Sequence, residues 1–369
     1  MIEEKLEEPA TKANPIPSPP IPVATNRQKF DEKKISIKVE KLKDHRIVGV
    51  IGDEDTYIAL KNSTTYLIVT DYGEAKLVDN GKEYPSVDLP NDDESIKDII
   101  YVDHLDCFFL LHANRLYRKD LDAKPPYLWM DIKIGYREGA SLIYSQYNKR
   151  LFTIKDLDNL AVIHLERKRI DLELIKVFAL SHNDFRVFGE KENKVVSILK
   201  NGVIVLYVIN YDLRKVIACH RCSTDKILRR GEAGISIAVG DRSQYIFVEM
   251  RGYRSAFIYS RLLVYKVDGH ILKKKAVLDL FDQGIYCSYP LECLGYVGTH
   301  ILWVGLSHFH GGIAQIFDYD TESGQLRELE EKRVSHNEYC PFNIHRLGKG
   351  NELFYTGQCG RVMKLTFNY

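Results

Sequence analysis

Two short segments of this chain carry residue types that bind metals or move protons. Cys219-His220-Arg221-Cys222 spaces two thiols as in half of a tetrahedral zinc site. No second pair with that spacing occurs, so the segment reads as an outer strand and its exit turn, with one Cys inward and one in the loop. His308-Phe309-His310-Gly311-Gly312 puts two imidazoles on one side of an extended segment, a pattern that can chelate a metal or poise a base. It has no carboxylate or third His close in sequence, and its glycines mark a hairpin loop. The nucleophile elbow, the phosphate loop and the His-Glu-x-x-His helix are all absent from the sequence. No catalytic residue, metal or cofactor is therefore expected.

A third segment has the composition of a contact surface. Arg251-Gly252-Tyr253-Arg254-Ser255-Ala256-Phe257-Ile258-Tyr259-Ser260-Arg261 brings together aromatic rings and guanidinium groups, which supply large contact area and planar donors at modest entropy cost. These residues are either interface anchors or the tip of a longer structural hairpin. The partner-binding set expected from sequence is Arg229, Arg230, Arg251, Tyr253, Arg254, Phe257, Tyr259, His308 and His310. Lys226 extends its basic side, and Asp88, Asp92, Asp93 and Glu94 form an acidic group elsewhere in the chain.

The scaffold that holds these segments must be built from strands. The chain has 369 residues, 52 Lys and Arg against 51 Asp and Glu, and a formal net charge of +1. That balance rules out a surface made wholly for phosphate binding, while leaving room for a local basic face. With 45% hydrophobic and 28% charged residues, global disorder is excluded as well. The seven cysteines are odd in number and scattered through apolar runs, which suits a reducing compartment, cytoplasmic or nuclear. The start Met1-Ile2-Glu3-Glu4-Lys5 lacks an apolar signal core, and runs such as Val203 to Ile209 are too short to span a bilayer. Asn62-Ser63-Thr64 fits a glycosylation triplet but reads as a turn.

Proline divides the chain. Pro9 and the run from Asn14 to Pro22 favour polyproline II, so residues 1–34 are expected to form a disordered tail, as a leader or as a ligand for a proline-reading groove. From Ile35 onward, strand-like runs alternate with Gly, Asn and Asp turns, and no convincing 3.6-residue stripe appears. One motif, an apolar residue, any residue, usually an apolar residue and then Asp, Glu or Asn, recurs seven times. It reads Ile68-Val69-Thr70-Asp71, Tyr117-Arg118-Lys119-Asp120, Ile163-His164-Leu165-Glu166, Ile209-Asn210-Tyr211-Asp212, Tyr265-Lys266-Val267-Asp268, Phe317-Asp318-Tyr319-Asp320 and Leu365-Thr366-Phe367-Asn368. A further strand-like run precedes each copy. The last repeat lacks one strand, and Ile35-Ser36-Ile37-Lys38-Val39 is placed to supply it.

This motif, period and count resemble the WD40-like seven-bladed β-propellers over residues 35–369. Tyr211-Asp212, Val267-Asp268 and Tyr319-Asp320 stand where that family has Trp-Asp, although no Trp-Asp pair occurs and the only Gly-His pair, Gly269-His270, follows the third strand. The resemblance implies an all-β fold of four-stranded antiparallel blades, with the first strand completing the last blade. It also implies a non-enzymatic interaction scaffold or adaptor, a monomeric propeller within a hetero-complex whose partners are other proteins. In such a ring the loops joining second and third strands share a face with those linking successive blades. That face would be basic across blades four to six and acidic between blades one and two, which suits an oriented protein partner better than a nucleic-acid backbone. The rival readings are a propeller enzyme with its site in the central channel and a nucleic-acid-associated subunit using the basic half-face.

Overall fold

The computed structural model of the protein describes residues 30–44, 56–70, 73–89, 96–112, 115–131, 142–156, 159–165, 171–177, 185–189, 191–198, 203–212, 214–223, 233–240, 242, 244–254, 257–279, 291–307, 313–329, 334–335, 344–346, 351–356 and 361–368. The first strand is β1 (Ser36–Asp44), and seven sheets follow. Blade one holds β2 (Thr56–Asn62), β3 (Thr65–Thr70), β4 (Glu74–Asp79) and a fourth strand split into β5 (Lys82–Glu83) and β6 (Val87–Asp88). Blade two is β7 (Ile96–Val102), β8 (Cys107–His112), β9 (Arg115–Asp120) and β10 (Tyr127–Asp131). Blade three is β11 (Ile143–Ser145), β12 (Arg150–Asp156), β13 (Asn159–His164) and β14 (Asp171–Lys176). Blade four is β15 (Phe185–Phe188), β16 (Lys194–Ile198), β17 (Val203–Asn210) and β18 (Lys215–Ser223). Blade five is β19 (Ala233–Val239), β20 (Tyr245–Arg254), β21 (Phe257–Asp268) and β22 (Ile271–Asp279). Blade six is β23 (Leu291–Val297), β24 (His300–Ser307), β25 (Ile313–Asp320) and a split fourth strand, β26 (Leu326–Glu328) and β27 (Val334–Ser335). Blade seven is β28 (Ile344–Arg346), β29 (Glu352–Thr356), β30 (Arg361–Asn368) and, as its outer strand, β1.

The core follows from the ring. Inner strands lie one against the next from β2 to β23, and β28 returns to β2. A blade therefore buries both faces, each against a neighbouring blade, and the hydrophobic side chains gather into seven clusters at the seven blade boundaries. Double-sided burial explains why middle strands are continuously apolar. Every residue of β8, Cys-Phe-Phe-Leu-Leu-His, is buried. Alternation survives at the rim, where β22 buries only Leu272.

The N-terminal strand closes the ring. β1 runs antiparallel to β30, with Ile37 opposite Phe367, Val39 opposite Leu365 and Lys41 opposite Met363. Ile35 is 3% exposed and joins the cluster between blades six and seven. Phe30 packs on that cluster as well, stacking on the His300 ring at 3.9 Å, and a 3-10 turn covers Glu32–Lys34. The described residues thus begin at Phe30, a few positions before Ile35. Residues 1–29, including the Pro-rich run, lie outside the described residues.

Two expectations are corrected by the register. In blade one the run Ile68-Val69-Thr70 belongs to the second strand, β3, and the third strand is β4, ending in Leu77-Val78-Asp79. Asp79 is accordingly the motif residue of that blade, where its carboxylate accepts a hydrogen bond from the Thr65 hydroxyl at 3.1 Å. The other motif copies do close third strands. Cys219 and Cys222, for their part, both lie within β18, the first exposed and the second partly packed against blade five. The exit turn takes neither.

The motif Asp residues serve the strand ends in different ways. Asp320 accepts from the backbone N–H groups of Glu322 at 3.0 Å and Ser323 at 3.3 Å, and from the Thr299 hydroxyl at 3.1 Å. Asp120 accepts instead from the Arg118 guanidinium at 2.7 Å, and Asp268 from Lys273 at 2.5 Å. Hydrogen bonds from Ser323, Glu322 and Thr299 hold the Asp320 carboxyl down at about 2. A carboxyl depressed by folding contributes stability above its unfolded value, and that contribution is lost as pH falls from about 4 to about 2. Asp320→Ala is expected to cost about 1 kcal/mol at neutral pH after solvent screening, and only a small fraction of that at about pH 2. Denaturant titrations at the two pH values check this.

Candidate interaction surface

Blade five carries the longest strands of the ring, β20 with 10 residues and β21 with 12. Their ladder continues to the pair Arg254 and Phe257, but β19 stops pairing at Arg251 and β22 at Arg261. Among the described residues, Gly252 to Arg254 and Phe257 to Tyr259 thus pair only with each other. At about 3.4 Å per residue, this two-stranded ribbon extends about 10 Å past the four-stranded blade. The register sets Gly252 opposite Tyr259, Tyr253 opposite Ile258 and Arg254 opposite Phe257. Four of the nine residues expected to bind a partner, Tyr253, Arg254, Phe257 and Tyr259, therefore share one projecting element, with Arg251 at its base.

Beneath the ribbon lies a buried polar floor that sequence reasoning missed. Glu249 and Ser260 are both 0% exposed, and the Ser260 hydroxyl donates to the Glu249 carboxylate at 3.0 Å. Ser236, opposite Glu249 in the ladder, accepts from the Leu291 backbone N–H of blade six at 3.2 Å. The buried Arg261 guanidinium reaches Asp279 at 2.7 Å, and in blade six the Gln315 amide donates to Glu328 at 3.0 Å. A charged side chain within Tyr-Ile-Phe-Val-Glu-Met was the available signal, since burying a lone carboxylate is costly without partners. The bonds of Glu249 and Arg261 anchor the ribbon's base, and the Ser236–Leu291 bond couples blade five to blade six.

The remaining expected residues divide by location. Arg229 and Arg230 fall between β18 and β19, and His308 and His310 between β24 and β25. All four lie outside the described residues, as do Lys226, Asp92, Asp93 and Glu94. Asp88 is exposed on β6. Among the described residues, no three or more His, Cys, Asp or Glu side chains form a group able to hold a metal ion. His220, between the two cysteines, accepts at Nδ1 from the Leu272 backbone N–H at 3.2 Å and so ties blade four to blade five. No helix among the described residues is long and apolar enough to cross a membrane.

The opposite face, made by turns between first and second strands, is stapled blade to blade. Lys61 of blade one reaches Asp106 of blade two at 2.7 Å, and the Tyr101 hydroxyl donates to the same carboxylate at 2.6 Å. Those two bonds hold the Asp106 carboxyl below its usual range. Tyr144 of blade three donates to Asp103 at 2.6 Å, and its oxygen lies 2.8 Å from His104 Nδ1. Asn148 then donates to the Lys191 carbonyl of blade four at 2.9 Å. Farther round, Arg242 stacks over the Tyr296 ring at 4.4 Å, and Gly240 leaves room for that Tyr, whose hydroxyl would stand 3.0 Å from an added Cβ. Asn62-Ser63-Thr64 is the turn expected from sequence, with Asn62 Oδ1 accepting from the Thr64 and Thr65 backbone N–H groups.

No protein-family model and no curated protein matches the sequence. Solved structures do match by fold. The β-propeller domain of Nup133 from Vanderwaltozyma polyspora superposes with a TM-score of 0.60 at 10% identity, covering 90% of this chain and 98% of that one. The WD40 β-propeller domain of Doa1 gives 0.55 at 11% identity over 85% and 93%. A protein from Lactobacillus plantarum gives 0.55 at 14% identity over 76% and 84%. Seven four-stranded antiparallel blades, a first strand that completes the last of them, and these likenesses together make the chain a seven-bladed β-propeller of WD40-like architecture.

Proposed function

We propose that the protein is a non-enzymatic scaffold that binds a partner protein through the blade-five ribbon, with Arg229, Arg230, His308 and His310 as further contact residues. One observation carries the reading: the ring closes without Gly252 to Arg254 and Phe257 to Tyr259, yet these residues form a paired extension rich in Tyr, Phe and Arg. A two-stranded ribbon is marginal alone in water, and contact with a partner gives it the third surface that the blade withholds. Its buried polar base fixes the direction in which it projects. The likeness to propeller domains of Nup133 and Doa1 supports a scaffold role at the level of architecture.

Replacing Tyr253 and Arg254 together by Ala tests the reading. Buried anchors of these types cost upwards of about 2 kcal/mol of binding, a loss of roughly thirtyfold, while solvated loop residues cost almost nothing. The expected result is a purified double variant with the wild-type melting temperature that no longer retains the proteins co-purifying with the native chain. Unchanged recovery would make the ribbon a longer turn and move the search to the other face or to the Pro-rich tail.

A further inference from the structure

Outer strands of a propeller are open sheet edges, and proteins blunt such edges with bulges or by keeping strands short. Six of the seven blades do so here. The outer strands β10, β18, β22 and β1 each carry a register break, after Leu128, at Ile217, at Lys275 and at Leu42. In blades one and six the outer strand is split into pieces of two or three residues. Blade three is the exception: β14 pairs with β13 without a break from Asp171 opposite His164 to Lys176 opposite Asn159. Among the described residues, nothing pairs with its free side. Six regular residues there offer backbone donors and acceptors in the spacing that an added strand needs.

The surroundings specify what would add. Leu174 is 40% exposed on β14, and Ile217 is 54% exposed on β18 of the next blade, which lies against β14. Exposed Lys176 shares the face of Leu174, while on the other face of β14 stand exposed Arg221 and Arg214, the latter reaching over to β14 and contacting Glu173 at 3.2 Å. Glu173 is buried and paired with the Arg214 guanidinium, so it presents little charge outward. Asp212 is the exposed acid of the adjoining turn.

We propose that β14 accepts an extended acidic segment of a partner protein by strand addition, with the apolar side chains of one face resting on Leu174 and the acidic side chains of the other face toward Arg214 and Arg221. This surface is separate from the blade-five ribbon and does not depend on it. The test uses the full chain and three synthetic ten-residue peptides: one alternating Val with Glu, one alternating Val with Lys, and the Val-Glu peptide with N-methyl groups on alternate backbone nitrogens. Hydrogen exchange followed by mass spectrometry reads the site. The Val-Glu peptide is expected to slow exchange across 171–176 by about tenfold or more at saturation, in the native chain and in the Tyr253→Ala/Arg254→Ala variant alike. The Lys peptide and the N-methylated peptide are expected to leave it unchanged. Lys176→Glu/Arg221→Glu, checked for a wild-type melting temperature, should weaken the Val-Glu peptide at least tenfold. Protection elsewhere than 171–176, or none, overturns the site. Equal binding of the Lys peptide overturns the charge assignment, and equal binding of the N-methylated one overturns strand addition.

Discussion

A chain lacking residues 1–44 is expected to show no cooperative unfolding transition, whereas one lacking residues 1–29 melts like the native protein. Removing β1 strips blade seven of its outer strand, leaves the whole edge of β30 unpaired, and uncovers Leu365 and Phe367, which are 0% and 1% exposed in the closed ring. Each fully buried side chain of this size is worth about 1.5–3 kcal/mol, and Ile35 goes with the deletion as well. The loss reaches several kcal/mol, a large part of the roughly 5–15 kcal/mol that holds a domain together. Circular dichroism melts of the two truncations give the answer. Equal midpoints would mean that blade seven stands without its fourth strand.

Replacing Asp318 by Ala should cost about 3 kcal/mol, whereas Asp318→Asn should cost less than about 1 kcal/mol. Asp318 is 1% exposed and accepts from His300 Nδ1 at 2.8 Å and from Arg327 Nε at 3.2 Å. Ala removes both acceptors and leaves a gap beside the His300 ring on which Phe30 stacks. Asn keeps the shape and one acceptor oxygen. Charge is the lesser part of what Asp318 supplies, because burial pushes its carboxyl up more strongly than His300 and Arg327 pull it down. A carboxyl raised by folding binds its proton more tightly in the native state, so stability from this group falls as pH rises from the ordinary carboxylate range, about 4, through the folded value. Asn has no proton to lose. The stability gap between native protein and Asp318→Asn should therefore be widest below pH 4 and narrow toward neutrality. A constant gap would show that the partners His300 and Arg327 balance the desolvation after all.

The parts of the fold legible in the sequence were those set by local burial. Cys107 to Leu111 and Ile301 to Val304 are buried on both faces, so their apolar runs mark strands in any blade order. The closing strand was legible because Ile35, Ile37 and Val39 had no other blade to join. Blade one was misphased because its third strand, Glu74-Ala75-Lys76-Leu77-Val78-Asp79, carries charge. The apolar Tyr66 to Val69 before it imitates a third strand and ends near Asp71. With the split outer strand, the true step from Asp79 to Asp120 is only 41 positions. Of the candidate surface, the ribbon was visible as extra length in one repeat. The polar floor was not, since Glu249 meets Ser260 only through the register of β20 and β21, and Ser236 meets Leu291 only after blades five and six are in place.

The pairing of β1 with β30 also fixes an order of events during synthesis. Lys38 and its partner Thr366 lie more than 320 positions apart, so the first strand leaves the ribosome long before the strand it needs exists. At roughly 5–20 residues per second, that interval is on the order of 20–70 s. Throughout it, Ile35, Ile37 and Val39 are carried on an extended segment with no sheet to join, while six blades assemble behind them. The charges interleaved along it, Lys38, Glu40, Lys41, Lys43 and Asp44, then act as a guard that keeps a waiting edge from pairing with the wrong neighbour on the same polysome.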